Sequence, residues 1–361
     1  LAGCSDTTEV VAHQDLAGVH APNRWRRSAL RSRVWVLVLL ALIACLPFIN
    51  RPAGPDESGF LLVASQWRPG HSLYGNYWVD RPPLLLLIFD LASHLGGVVG
   101  LRLIGLIGVV VTVLLATLLT RISTGRKSLM PALVAVIFLS TPLFGTEQVD
   151  GEILAVPFVF VGLISLIRAW RGSGRDTVFW GIAGGMSGLA AALVKQNVID
   201  VFVVAAIFVF LAARKVGARR ALVLAASVAT GAVLALAAAL AFAATRGTDP
   251  LGLWDAVVTF RGQAAAVIDS SATSSTTDRL IRLLGSFALS GAPILIVVLL
   301  ARLRGPASPE FAPDLRIPAI ALLLWEATAV AAGGSYWLHY LIGFVPGMVL
   351  LAIAATQRPE S

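Results

Sequence analysis

Ten apolar stretches follow one another along the 361-residue chain, at 34–50, 98–120, 129–145, 152–170, 178–194, 197–213, 221–245, 280–301, 317–332 and 337–356. A helix rises 1.5 Å per residue, so about 20 apolar residues cross the hydrocarbon of a bilayer. Inside lipid the backbone has to satisfy its own hydrogen bonds, and for runs of this length that leaves the helix. The sequence therefore reads as an all-α polytopic membrane protein with about ten transmembrane helices. Only 13% of the residues are charged, against about 25% in an average soluble domain. That deficit excludes a soluble enzyme, a disordered tail protein and a disulfide-rich secreted scaffold.

The segment 83–97 is apolar but short, and it carries Asp90 and His94. Charge decides how to read it. If it does not cross, one side of the membrane receives Arg24, Arg26, Arg27, Arg31 and Arg33, then Arg121, Arg126 and Lys127, then Arg168, Arg171 and Arg175. The same side receives Arg214, Lys215, Arg219 and Arg220, then Arg302, Arg304 and Arg316, and finally Arg358. The other side keeps Arg51, Arg68, Arg81, Lys195, Arg246, Arg261 and Arg279. Cytoplasmic loops carry the excess of Lys and Arg, so both termini are expected inside and 83–97 is read as a re-entrant or juxtamembrane helix. The expected organisation is a cytoplasmic tail over 1–33, one transmembrane domain over 34–356 and a short cytoplasmic end over 357–361. Its outer loops are 51–97, 141–152, 246–279 and 333–337.

The formal net charge of +8 would suggest nucleic acid in a soluble protein. Here the cations sit in short clusters between spans, which is topology control, and no nucleic-acid partner is expected. The two cysteines, Cys4 and Cys45, support neither a disulfide framework nor a metal quartet. The start Leu1-Ala2-Gly3-Cys4 matches a lipoprotein cleavage box but lacks the charged and apolar segments that precede one. It is read as coincidence. Gly181, Gly184, Gly185 and Gly188 form overlapping Gly-x-x-x-Gly pairs, which implies close helix packing.

Two outer segments carry the functional signal. The first is Pro55-Asp56-Glu57-Ser58-Gly59-Phe60, and the second is Tyr74-Gly75-Asn76-Tyr77-Trp78-Val79-Asp80-Arg81-Pro82-Pro83-Leu84. Together they resemble the GT-C membrane glycosyltransferases, in particular the branch of protein O-mannosyltransferases and lipid A aminoarabinose transferases. Gly100-Leu101-Arg102-Leu103 and the stretch from Tyr340 to Pro346 also look like that group. The chain has Arg81 where members often have lysine, which keeps the charge. Many members continue into a C-terminal extracytoplasmic domain.

The resemblance implies a polyprenyl-phosphate sugar as donor, a lipid, glycan or protein hydroxyl as acceptor, and transfer with inversion on the outer face of a bacterial cytoplasmic membrane. An acceptor hydroxyl needs a carboxylate base within hydrogen-bond reach, and Asp56 beside Glu57 is the first candidate. The plainer role for Asp56 is the N-cap of a helix starting at Glu57. A phosphate leaving group needs a fixed cation, and Arg81 can supply a bidentate one unless it only anchors a helix among headgroups. Asp80 would orient Arg81 or bind a cation or sugar, and Arg261 is a second phosphate ligand or part of an amphipathic interfacial helix. Asp150 and Glu152 form a second acidic site or an acidic exit loop.

Lys195 and Asp200 read as an outer-interface pair or a functional one, and Glu326 inside a span is costly enough to ask for a role. His339 sits among aromatics as an interface residue or a ligand. No spacing in the sequence supports an intrinsic metal site, and a divalent cation stays open. Two other classes fit the composition: a lipid-linked sugar transporter or flippase, and a non-catalytic membrane subunit that binds a partner.

Overall fold

The computed structural model describes residues 24–74, 76–77, 79–270, 274–305 and 313–358. The lipoprotein-like start, most of the 1–33 tail, Gly75, Trp78, the 271–273 part of the Ser/Thr-rich stretch and the last three residues lie outside them. The described chain is helical, with isolated bridges at Arg68–His71 and Tyr74–Tyr77 as its only extended pairing.

The first helix, α1 (Arg24–Cys45), begins earlier than its apolar run and ends in a 3-10 turn at Leu46–Phe48. Two short helices follow, α2 (Pro55–Ala64) and α3 (Pro83–His94). Each opens on a proline, which gives up no helical hydrogen bond at that position. The bundle continues through α4 (Val98–Thr124), α5 (Met130–Ser140), α6 (Gly151–Arg171), α7 (Arg175–Val194), α8 (Asp200–Lys215) and α9 (Ala218–Thr245). The long outer segment holds α10 (Pro250–Trp254), a π turn at Asp255–Thr259, and α11 (Phe260–Ser270). Then come α12 (Ser274–Leu289), α13 (Ala292–Ala301), α14 (Arg316–Ala332), a 3-10 stretch at Leu338–Phe344 and α15 (Val345–Thr356).

Among the described residues, five helical segments are long and apolar enough to cross a membrane alone: Val98–Thr124, Gly151–Arg171, Arg175–Val194, Ala218–Thr245 and Leu338–Thr356. The pair α12 and α13, bent by 54°, makes a sixth. The remaining expected spans are shorter helices within the same bundle.

Loops from distant parts of the chain meet at the two ends of the bundle. At one end Arg102, near the start of α4, donates to the carbonyls of Phe48 (2.6 Å), Arg51 (2.6 Å) and Pro52 (3.0 Å). The end of α1 and the start of α4 therefore lie side by side. The chain between them, α2 and α3 included, leaves and rejoins the bundle at that end. With 12 residues, α3 rises about 18 Å, well short of a bilayer core.

At the opposite end Arg126 reaches the Thr356 carbonyl (3.2 Å), Gln357 that of Ser123 (3.4 Å), and Arg358 pairs with Asp314 (2.8 Å). These are the loops that the charge pattern put inside.

The glycines of α7 work as their spacing implies. A Cβ at Gly185 would overlap the Val228 carbonyl oxygen, and one at Gly231 would overlap that of Ile182, so α7 and α9 touch backbone to backbone. The other pair faces away from α9, with Gly184 against Leu166 and Gly188 against Val201. A separate cluster of Trp67, Leu73, Tyr74, Val79 and Leu86 packs on Ala243 and Leu253. It pins the loop after α2 to α9 and α10, and so fixes where Arg81 stands.

Candidate active site

Asp56 and Glu57 occupy the first turn of α2 but meet different surroundings. Glu57 is fully buried. It accepts the Gly54 amide (2.9 Å), the Val149 amide (3.0 Å) and two guanidinium bonds from Arg102 (3.0 and 2.8 Å). Those bonds close the N-terminus of α2 and tie it to α4 and to the segment that leads into α6, and Glu57 does not line the cavity described below. This geometry gives Glu57, the carboxylate beside the candidate base, a structural role, with its lone pairs spent on the fold. The cap is Glu57 reaching back to Gly54, so Asp56 is free of the capping role. Arg102, within the Gly100-Leu101-Arg102-Leu103 motif, is the structural partner of Glu57.

Asp56 makes no hydrogen bond or ion pair with the described residues. It lines a small cavity together with Arg81, Asp150, Lys195, His339, Phe60 and Phe89. Burial raises the Asp56 carboxyl above its ordinary value, and the nearby Asp150 charge adds to the rise against Arg81, His339 and Lys195. Burial acts the same way on Asp150, but His339, Lys195 and Arg81 outweigh it and hold that carboxyl below its ordinary value. Two carboxylates in one cavity are thus pushed apart, the pattern of an acid–base site.

Asp150 stands at the N-cap position of α6 without capping it. Its carboxylate instead meets His339 Nδ1 at 3.1 Å. The other face of that ring lies 3.9 Å from Glu152, and Glu152 pairs with Lys195 Nζ at 2.9 Å. Lys195 also sits over the Tyr340 ring, 5.1 Å from its centroid. The expected pairing of Lys195 with Asp200 is therefore replaced by one with Glu152, and Asp200 belongs to a different cavity.

His339 is held by a turn from elsewhere. Gly145 has φ +71°, and a Cβ there would come within 2.8 Å of the His339 amide nitrogen. Both the left-handed backbone and the close approach require glycine.

Arg81 stacks over Phe60 at 5.2 Å and pairs with Asp80 at 2.7 Å. Asp80 is almost wholly buried, and the same carboxylate oxygen takes Arg261 at 2.9 Å. Two arginines thus flank one carboxylate, which orients them and leaves cationic surface for an anion. Asp80 fits the orienting role, not that of a sugar or cation ligand. Arg261 stands behind Asp80 and does not line the Asp56 cavity.

Sequence reasoning missed two supports of this loop. The Tyr74 hydroxyl donates to the Arg81 carbonyl (2.9 Å), and the Gln196 amide donates to that of Asp80 (2.9 Å). Nothing in the spacing along the chain pointed to either.

Asp56, Asp150 and His339 each offer one ligand atom within 4.8 Å of the others. Two oxygens and a nitrogen at that spacing are a donor set that a divalent cation accepts with further positions open. The three come from distant segments, which is why no local spacing announced them.

Beside Arg81 the apolar surface is grooved. Pro83, Leu84 and Leu87 of α3, Phe158 of α6, Met186 and Leu193 of α7, and Phe242 of α9 line a groove of about 450 Å³ with nearly continuous hydrocarbon walls.

The fold has known counterparts. ArnT from Cupriavidus metallidurans, solved bound to undecaprenyl phosphate, matches at a TM-score of 0.59 and 16% identity, over 94% of this chain and 61% of its own. The archaeal oligosaccharyltransferase AglB from Archaeoglobus fulgidus, in complex with an inhibitory peptide and a dolichol-phosphate, matches at 0.51 and 14%, over 92% and 50%. The chain has the GT-C fold. It spans about half to three-fifths of the length of these GT-C structures. No family model matches the sequence, and no curated protein does.

Proposed function

We propose that the chain is an integral membrane glycosyltransferase that moves a sugar from a polyprenyl-phosphate donor to an acceptor hydroxyl. The observation that carries this reading is the Asp56 carboxylate, unpartnered among the described residues, in one cavity with Arg81, two residues before the Pro83 that begins the wall of an apolar groove. A polyprenyl tail fits that groove, and the phosphate at its end would lie against Arg81, which Asp80 orients and Arg261 backs. The GT-C structures solved with undecaprenyl phosphate and with dolichol-phosphate support the choice of lipid.

The chemistry follows from charge. Asp56 takes the proton of the acceptor hydroxyl as its oxygen attacks the anomeric carbon, and the bond from that carbon to the phosphate oxygen breaks. Negative charge grows on the departing phosphate, where Arg81 stabilises it in surroundings that exclude most water. A single displacement inverts the anomeric centre. Asp150 is held ionised by His339 and Lys195, so it keeps the neighbouring Asp56 basic and does not compete for the proton. Asp56, Asp150 and His339 would hold a divalent cation if one binds, and it would supply positive charge within the cavity. The reaction face is the one that the charge pattern puts outside, in a multi-pass arrangement of ten spans.

Turnover in proteoliposomes tests the reading, with release of polyprenyl phosphate from a panel of polyprenyl-phosphate sugars as the readout. Release that is lost in both Asp56→Asn and Arg81→Ala supports it, and an arm with chelator reports the need for a metal. No release from any donor by well-folded protein would sink it. The buried carboxylates Asp200 and Glu326 favour a second reading, a lipid-linked sugar transporter. That one requires translocation without release, undiminished in Asp56→Asn.

A further inference from the structure

Two buried carboxyls stand outside the chemistry above. Asp200 opens α8 and is 4% exposed, and Glu326 lies within α14 and is 3% exposed. Their side chains are hydrogen-bonded to each other. Each also takes a backbone amide: Glu326 Oε1 accepts that of Gly347 at 2.8 Å, and Asp200 accepts its own. Gly347 makes room for the contact, since a Cβ there would overlap Glu326 Oε2.

A carboxylate only accepts, whereas a protonated carboxyl also donates. A hydrogen bond between two carboxyls therefore contains a proton, and like charges in such contact do not both persist. No cation takes the proton's place. The small cavity beside the pair has no Lys or Arg in its lining among the described residues, and the other titratable groups there are Glu152 of α6 and Tyr340. Lys195 lies beyond Glu152 and is paired with it at 2.9 Å. The cations of α8 and α14, Arg214, Lys215 and Arg316, stand at the far ends of those helices, and α15 carries no charged residue.

We propose that Asp200 and Glu326 share one proton, and that the bond it makes positions His339 and Lys195 at the Asp56 cavity. The path from the pair to the site runs through backbone. Gly347 is in the first turn of α15, which continues directly from the 3-10 stretch Leu338–Phe344 that carries His339. Asp200 follows Lys195 across the short turn 196–199. One hydrogen bond thus joins the segment of His339 to the segment of Lys195, and those are the two groups that hold Asp150 ionised. Apolar side chains at these positions would hold the helices together as well, whereas a directional bond also fixes their register. The effect on catalysis rests on the transferase reading above, and the shared proton does not.

The infrared spectrum of the full chain in detergent reads the proton. At neutral pH wild type is expected to show the carbonyl band of a protonated carboxyl, retained in Asp56→Asn and lost in both Glu326→Gln and Asp200→Asn. An amide in either place gives the N–H that the proton supplied, so Glu326→Gln is expected to keep most of the wild-type kcat for release of polyprenyl phosphate. Glu326→Leu keeps the bulk and removes the bond. Its kcat is expected to fall roughly tenfold or more, the scale on which a misplaced group acts, with donor KM little changed. As pH rises and the band disappears, wild-type kcat falls with it, and that of Glu326→Gln does not.

The absence of any band that depends on the pair overturns the shared proton. A Glu326→Leu variant with a lower unfolding midpoint and wild-type kcat overturns the positioning role and leaves a structural one. Where Glu326→Leu does not fold, the pH profiles decide: identical alkaline limbs in wild type and Glu326→Gln overturn the role. A band that depends on the pair, with no release from any donor by wild type, removes the transferase reading and the role toward His339 while the shared proton stands.

Discussion

The carboxylate of Asp56 faces an open cavity while that of Glu57 accepts four hydrogen bonds, although the two follow each other in the first turn of α2. Successive helical side chains point about 100° apart, so one turns to the cavity and the other to Arg102. The two substitutions should therefore fail differently. Asp56→Asn is expected to lower kcat by about 10²–10⁴, the usual worth of a general base, with an unchanged unfolding midpoint in detergent. Glu57→Gln leaves Arg102 a buried and unmatched cation, which costs roughly 3–5 kcal/mol, and should show first as a lower unfolding midpoint. The raised Asp56 carboxyl also sets a pH limb. The base is active only when ionised, so kcat/KM should rise with pH through a value above the ordinary carboxylate range. Asp150→Asn removes a charge that raises Asp56, so that limb should move to lower pH.

The contact of α7 with α9 depends on what is absent from Gly185 and Gly231. Gly185→Val would force the helices apart, at a cost of about 1–3 kcal/mol or more, and should reduce the recovery of monodisperse protein. Gly59, with nothing near its Cβ position, gives a control in Gly59→Ala. The turn after α5 acts on the site instead. Gly145→Ala puts a side chain in a left-handed conformation, at about 1–2 kcal/mol, and pushes against the His339 backbone. Activity should fall more than stability, as the KM–kcat split and the unfolding midpoint measured together would reveal. These interfaces were legible to different degrees. The Gly-x-x-x-Gly spacing announced close packing on two faces of α7. Nothing near Gly145 announced His339, because a turn and a distant backbone nitrogen leave no local pattern.

At the scale of the molecule, the loops assigned to the outer side by charge gather at one end of the bundle, around Arg102, Asp56, Asp150 and His339. Those assigned inside gather at the other, around Arg126, Gln357 and Arg358. The arrangement predicts accessibility. In a background without Cys4 and Cys45, Ser335→Cys should label from outside intact cells with an impermeant thiol reagent, and Lys127→Cys should label only after permeabilisation. The reverse pattern would invert the face on which transfer is proposed.

Composition and periodicity determined the helical membrane class, and they predict the side of each basic cluster and a segment 83–97 that does not cross. Each of these depends on summed hydrophobicity and charge, which a sequence carries locally. Asp56 and Arg81 were also within reach, because both stand in short motifs. The tertiary structure alone decided which carboxylate stays free, that Lys195 pairs with Glu152, and that Asp150 meets His339. It also decided that Asp200 meets Glu326 in the interior of the bundle. Those outcomes depend on side chains from distant helices meeting where water is excluded, and the strength of a charge or hydrogen bond there is set by partners the sequence does not place side by side.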